Sequence, residues 1–511
     1  MIIKNKTSFI IIFIIVLSSI AALNIATVTS DHNWGGDFSA YIQHAKNIVD
    51  SNDYGDTGYV YNPDYPLGPP NCAVGFPLLL AAVYSLFGFN LIAMKLEIIV
   101  FFVLLLLIIF FYFKDKVNPY YALTLIAIIG FHTYFVSFKE SILSDIPFLF
   151  FLFLFLFIFK KSSFLKFSGN NKILAIFAAA VLYFSFLIRP VASIMAPSLL
   201  IYGSLHYRKN RNLFLFSMTV VFSYIVFFIL GKLFIGVNVH YAGIGAPKIY
   251  FDNILHSFQI YKKVFVGFLK FYPDEIEALF PGKVNILLRQ ILFFLRLLVV
   301  SFFSINSVIG YCRKVRKDLE LSDIFVSIYL FILLFWPNFY EFRYFIPLVP
   351  FCLFYAFWNL DKIVVDAKYK KKIFFLLLIM IFIIYSASYM GFSTKNLFGV
   401  RSPQARQFFS YIKNYSKQSD IFLFYKPRIL SLFTGRSASA ISPSVVEKDF
   451  YLYLEEANIS YVVFRLRNLD NKYYQNIANY VKEYPDCWQE VFSNSRFVIY
   501  KMIKNPILKT K

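Results

Sequence analysis

A chain of 511 residues that is 59% hydrophobic, 21% aromatic and only 16% charged, with mean hydropathy +0.61, is not a soluble globular protein. Its net charge of +22 does not signal nucleic acid, because the lysines and arginines stand in short clusters between apolar runs, the pattern of cytoplasmic loops under the positive-inside rule. The repeated apolar runs predict a polytopic, all-α membrane protein. Cys72, Cys312, Cys352 and Cys487 have no metal-ligand spacing, and sequence does not say whether Cys72 and Cys487 pair.

From the N-terminus, Lys4 and Lys6 precede an apolar run over 9–29. It reads as a retained first helix; a cleaved signal peptide is the alternative, and both leave the following residues outside. There the stretch Trp34-Gly35-Gly36-Asp37-Phe38-Ser39-Ala40-Tyr41 bends at two glycines and puts a carboxylate at the start of a helix-like run. Further spans are predicted at 91–113, 118–137, 146–159, 172–188, 191–206, 212–235, 286–311, 322–338, 345–360 and 371–390, eleven in all. Segment 73–89 is apolar but short and holds Pro77. If it crossed, the clusters around Lys114, Lys160, Arg208, Arg313 and Lys370 would move outside, against the charge bias, so it is expected to be a juxtamembrane or re-entrant helix on the outer face. The N-terminus is then cytoplasmic.

Two long outer segments follow from this topology, 30–90 and 236–285, the second with an interfacial helix predicted around Tyr261–Tyr272. With the spans they make a transmembrane domain over 1–390. From 391 to 511 the pattern changes to an extracytoplasmic α/β domain. Helices are predicted near 403–417, 448–457 and 472–484. Strands are predicted at Ile421–Tyr425, Tyr461–Phe464, 487–493 and 496–502.

Five groups sit near the outer boundary: Asp37; Lys139 and Glu140 with Asp145; Arg189; Arg289 and Arg296; and Glu341, Arg343 and Tyr344. Asp37 and Asp145 also suit helix caps, Pro147 fitting a helix start. Arg189-Pro190 suits an interfacial anchor, and Glu341 with Arg343 an ordinary rim ion pair. Arg289 and Arg296 share one helix face, and Arg296 is read as the one charge within otherwise nearly charge-free spans; snorkelling is the alternative to a cavity. Together, carboxylates able to act as general base and arginines able to hold phosphate bidentately suit transfer of a group away from a phosphate leaving group.

These residues resemble the GT-C superfamily of membrane glycosyltransferases, near the bacterial relatives of protein O-mannosyltransferases and the aminoarabinose transferases. The likeness rests on Gly36-Asp37-x-x-x-Tyr41 with Ala45, on Tyr65-Pro66 and Pro69-Pro70 leading to Gly75-Phe76-Pro77-Leu78-Leu79, and on Ser144-Asp145-x-Pro147. Arg189-Pro190 and Arg343-Tyr344-x-x-Pro347-x-x-Pro350 complete it within the spans, with Thr434-Gly435-Arg436 and Tyr461-Val462-Val463 in the C-terminal region. The resemblance implies a polyprenyl-phosphate sugar donor and an acceptor hydroxyl attacking with inversion. Asp37 would be the catalytic base and Asp145 the second acidic residue, with Tyr41, Lys139, Glu140, Arg189, Arg296, Arg343 and Tyr344 on substrate or phosphate. It implies a lipid, glycan or protein acceptor at a bacterial plasma membrane, and no cofactor, since the single-Asp first motif fits the metal-independent branch. One departure stands out: the aminoarabinose transferases carry a His-Lys-Pro-Pro-like segment in the first loop, whereas Asp64–Asn71 has neither Lys nor His. A lipid-linked-sugar transporter and a polysaccharide polymerase or ligase are the competing readings.

Overall fold

The computed structural model describes residues 6–68, 71–162, 169–234, 286–335, 342–390, 399–466 and 472–506. Each of the eleven predicted spans overlaps helix among them, although 118–137 is broken at His132, 191–206 and 345–360 begin on 3-10 turns, and 322–338 runs past the described residues. In chain order these are α1 (Lys6–Ala26), α4 (Leu91–Phe113), the pair α5 (Pro119–Phe131) and α6 (Thr133–Ser141), α7 (Asp145–Ser162), α8 (Gly169–Ile188), α9 (Met195–His206) and α10 (Arg211–Phe234). Then come α11 (Ile286–Lys317), α12 (Leu321–Phe335), α13 (Val349–Ile363) and α14 (Ala367–Met390), while α2 (Asp37–Asp50) and α3 (Gly75–Phe87) stand between α1 and α4. By length and composition alone, five described helices are apolar enough to cross a membrane, or six if the bent pair α5–α6 is one span, so the chain is a multi-pass membrane protein. The predicted interfacial helix around Tyr261–Tyr272 lies outside the described residues.

Contacts divide the chain into two compact units. The first holds α1, nearly all of α4, and α5 to α14. Local chemistry sets its breaks. Asn118 caps α5, its side chain accepting from the Tyr120 amide at 3.0 Å, with Pro119 behind it at the first turn. At His132 the backbone becomes extended and the chain bends by 49° into α6, whose first turn the imidazole caps through the Tyr134 amide. Ile142, in the left-handed region at φ 44°, ends α6. Pro190 stops α8, and a short 3-10 turn leads into α9. Outward rows such as Ile10, Ile11, Ile14 and Ile15 on α1 and Phe222, Ile225, Ile229 and Leu233 on α10 are exposed and apolar, as lipid-facing surfaces are.

The spans are not as free of charge as the sequence suggested. Lys95 and Glu97 both lie within α4, and Lys95 is completely buried. At the other end of the unit, Asp323 opens α12, also completely buried. It accepts from Lys314 Nζ at 2.9 Å and from the Tyr355 hydroxyl at 2.7 Å, tying together α11, α12 and α13.

The second unit joins residues 29–94 to the C-terminal region. Its C-terminal elements run α15 (Pro403–Tyr415), β1 (Ile421–Leu423), α16 (Pro427–Thr434), β2 (Ser437–Ser439), α17 (Glu447–Glu456), β3 (Ile459–Arg465), α18 (Lys472–Glu483), β4 (Trp488–Ser493) and β5 (Phe497–Met502). The sheet order is β2-β1-β3-β5-β4, parallel over the first three strands and antiparallel over the rest. Phe450, Leu454, Ile459, Val462, Ile477 and Val498 are among its core. The sequence pattern missed α16 and β2: β2 is Ser-Ala-Ser, without a branched or aromatic side chain to mark it as strand.

Residues 58–62 of the first outer segment lie along that short edge strand. The Val60 amide donates to the Ala438 carbonyl, the Ala438 amide to the Gly58 carbonyl, each at 2.9 Å, and Asn62 Nδ2 to the Ala440 carbonyl at 3.0 Å. Satisfying the edge in this way makes the first outer segment part of the sheet. A second clasp lies upstream: Asp31 Oδ1 accepts from the Arg401 amide at 2.7 Å. Gly399 is needed beside it, because a Cβ there would run into the Asp31 carboxylate.

Candidate active site

Within the first unit, the candidate residues gather around Asp145 in the first turn of α7. Asp145 is 1% exposed, and its two oxygens are shared between two arginines. Arg189 Nη1 donates to Oδ1 at 2.6 Å from the end of α8, where Pro190 turns the chain. Arg343 Nε donates to Oδ2 at 2.8 Å from the 3-10 turn Phe342–Leu348. The carboxylate that suited a helix cap thus binds two guanidiniums, and Arg343, read as half of a rim pair with Glu341, is held on Asp145; Glu341 lies outside the described residues. Two guanidiniums thus share one buried carboxylate, each donating to a different oxygen. Tyr344 follows directly, its carbonyl accepting from the Tyr329 hydroxyl at 2.9 Å.

Lys139 and Glu140 form a separate buried group. Glu140 takes Lys95 Nζ on one oxygen at 2.6 Å and Lys139 Nζ on the other at 3.1 Å, while Lys139 also donates to the Thr27 carbonyl at 3.1 Å. This ties α4 and α6 to the end of α1. Lys139 is 2% exposed. Arg289 and Arg296 lie on α11, and their side chains lie outside the described residues. Sequence reading missed Lys95 because the apolar run over 91–113 hid it; a count of charges within the run would have found it and Glu97.

Within the second unit, Asp37 opens α2 behind the Gly35-Gly36 bend, and Ser39 Oγ donates to the Gly36 carbonyl at 2.6 Å. Trp34 anchors the approach among Phe409, Phe424 and Phe497, at centroid distances of 5.8, 6.2 and 5.5 Å, with the Arg465 guanidinium over its ring at 5.6 Å. Tyr41, one turn on, packs edge-on against Phe76 of α3 at 4.8 Å. The α16 helix packs on α2, and Lys426 at its cap lies within electrostatic reach of Asp37. Burial pushes that ammonium below the usual lysine range, and the Asp37 carboxylate draws it part of the way back. Lys426 was not among the sequence candidates.

His44 fixes the rest of the loop from the buried face of α2. Its Nδ1 donates to the Tyr54 carbonyl at 2.7 Å, and its Nε2 accepts from the Cys72 amide at 3.1 Å, so the neutral ring is the form that fits. Burial, opposed by the bond to Tyr54 and aided by the Arg428 charge, lowers its pKa to about 4. Cys72 and Cys487 form no disulfide. Asp145 carries two guanidiniums, and among the described residues no three His, Cys, Asp or Glu side chains converge.

No protein-family model and no curated protein matches the chain. Among solved structures, ArnT from Cupriavidus metallidurans bound to undecaprenyl phosphate matches 97% of this chain and 98% of its own, with TM-score 0.55 and 12% identity. Its apo state matches 98% of each chain with TM-score 0.56 at 12% identity. The archaeal oligosaccharyltransferase AglB from Archaeoglobus fulgidus, in complex with an inhibitory peptide and a dolichol-phosphate, matches 93% of this chain and 71% of its own, with TM-score 0.55 at 12% identity. Over nearly its whole length, then, this chain shares the fold of ArnT and of the archaeal oligosaccharyltransferase, as the resemblance in its sequence led us to expect.

Proposed function

We propose that the protein transfers a sugar from a polyprenyl-phosphate-linked donor to an acceptor hydroxyl on the outer face of a bacterial plasma membrane. The observation that carries the reading is the Arg189–Asp145–Arg343 group, two guanidiniums brought from separate elements onto one buried carboxylate, in a fold whose solved examples hold lipid phosphates. Eleven spans, with the N-terminus inside and the C-terminal domain outside, accompany it. The charge pattern of the sequence then puts Asp37, Asp145, Arg189 and Arg343 on the outer side.

In the proposed step the acceptor oxygen attacks the anomeric carbon, its bond forms as the bond from that carbon to the phosphate oxygen breaks, and configuration inverts. The acceptor proton passes to the Asp37 carboxylate, and the electron pair leaves with the polyprenyl phosphate. Arg343, with Arg189, stabilises the charge that develops on the phosphate, the charge that separates transition state from ground state. Asp145 orients both guanidiniums, and Tyr41 and Tyr344 are proposed to contact substrate. Lys139 and Glu140, buried against Lys95, support that region through the packing of α4 and α6. The acceptor is a lipid, a glycan or a protein.

A transporter would put ionisable groups near the middle of the bilayer. Lys95 is instead in the first turns of α4, about 6 Å along the axis from Leu91 at the rise of an α-helix. The direct test is Asp37→Asn, followed as sugar transfer in membranes. Transfer is expected to vanish while expression and insertion stay normal, and near-normal turnover would contradict the reading.

A further inference from the structure

Asp37 enters α2 across two glycines, and glycine leaves a backbone free to swing. The bonds made at this bend stay within it: the Gly35 amide donates to Asn33 Oδ1 at 2.9 Å, and the Ser39 hydroxyl to the Gly36 carbonyl. A Cβ on Gly36 would meet nothing within 4 Å, so packing does not hold that residue either. What ties the bend to the fold lies just upstream and belongs to the C-terminal region. The Val400 amide donates to the His32 carbonyl at 2.9 Å and the Arg401 amide to Asp31 Oδ1 at 2.7 Å. Trp34 then places its ring among three buried phenylalanines, Phe409 of α15, Phe424 just after β1 and Phe497 of β5. Arg465 of β3 lies over that ring and donates to the Tyr425 hydroxyl at 3.0 Å.

The tie reaches across the glycines. The His32 ring, whose residue is bonded to Val400, stacks on Phe38 with centroids 3.6 Å apart, and Phe38 is the buried neighbour of Asp37. A general base works only within hydrogen-bond reach of the proton it takes, and small displacements of a reacting group cost large factors in rate. A carboxylate behind two glycines therefore needs a fixed point close by, and the fixed points here are residues 31, 32 and 34. We propose that Trp34 is a positioning residue for Asp37, and that through it the C-terminal α/β region sets where the catalytic carboxylate stands. The inference rests on the transferase reading. It makes the C-terminal region a working part of the reaction and gives Trp34 a role in rate, exerted through Asp37.

The test returns the full chain to a strain lacking the gene and follows the polyprenyl-phosphate-linked sugar that builds up when transfer stops, with Asp37→Asn as the blocked reference. Trp34→Leu, at normal membrane abundance, should slow transfer roughly a hundredfold, the effect of about 1 Å of misplacement at a reacting group. Trp34→Phe, which keeps a ring among the three phenylalanines, should recover most of the rate. Hydrogen exchange on the purified Leu variant should quicken at amides 35–41 and stay at wild-type rates in β3 and β5. Should the Leu variant not reach the membrane, Asp31→Ala, which removes the neighbouring tie to Arg401, replaces it with the same expectations. Wild-type transfer by the folded Leu or Ala variant would overturn the inference and leave the transferase reading intact. Exchange that quickens equally in β3 and β5 would also overturn it, since Trp34 would then be a support of the sheet. No accumulation with Asp37→Asn would overturn both the inference and the reading it rests on.

Discussion

Asp145 shows why a single carboxylate was readable in the sequence as two different things. Followed by Pro147 at a helix start, it has the local signature of a cap, and nothing in the local sequence shows that its partners come from residues 189 and 343. Sequence order and outer placement brought the three together as candidates; only the folded chain shows them bonded. Because Asp145 is almost fully buried, its removal leaves two guanidiniums facing one another, and breaking a buried pair costs about 3–5 kcal/mol. Asp145→Ala is therefore expected to lower the thermal stability of the purified protein strongly. Arg343→Ala removes one cation and leaves the Arg189 pair, so it should be milder for stability; a stable, wild-type-like Asp145→Ala would contradict this account of the cluster. Lys426 and His44 were not legible in the same way, since each acts through a partner distant in sequence.

The segment over residues 30–90 is the element that gained most from the structure. Its helix-like start at Asp37 and the short apolar helix over 73–89 are readable from periodicity, and the structure has α2 and α3 there. Its pairing with β2 is not, because Ser-Ala-Ser carries no strand signal and the bonds are made by backbone. Between α2 and α3 the segment is latched by neutral His44, which bonds residues 54 and 72 and stacks on the Tyr54 ring at 4.2 Å. A histidine with a folded pKa of about 4 and an ordinary value near 6.5 when unfolded stabilises the fold fully above pH 6.5. That contribution is lost as pH falls toward 4, because the unfolded chain then binds the proton more readily; the total is about 3 kcal/mol. Cleavage between residues 54 and 72 by a protease active in acid should rise across that window, and His44→Gln, which can keep both bonds without titrating, should flatten the rise. Protection independent of pH in the wild type would contradict the latch.

For the whole molecule, fold class was legible because a membrane imposes it: long apolar runs become helices, and five or six of the described helices are long and apolar enough to cross a bilayer. The C-terminal sheet was legible strand by strand where branched and aromatic residues alternate, as in β3 and β5, and not where small residues form the edge. What no local pattern carries is the joining of residues 29–94 with the C-terminal region into one unit, since the two are separated by most of the chain. The central claim is chemical, that this fold passes a sugar from a polyprenyl phosphate to an outer acceptor. The measurement that tests it most directly is the lipid and glycan profile of a strain lacking the gene, complemented with the wild-type chain or with Asp37→Asn. The account predicts a polyprenyl-phosphate-linked sugar that accumulates in the deletion and in the Asn-complemented strain, with one sugar missing from an envelope lipid, glycan or protein, and both reversed by the wild type. Identical lipid-linked sugars and identical envelope glycans in all three strains would contradict it.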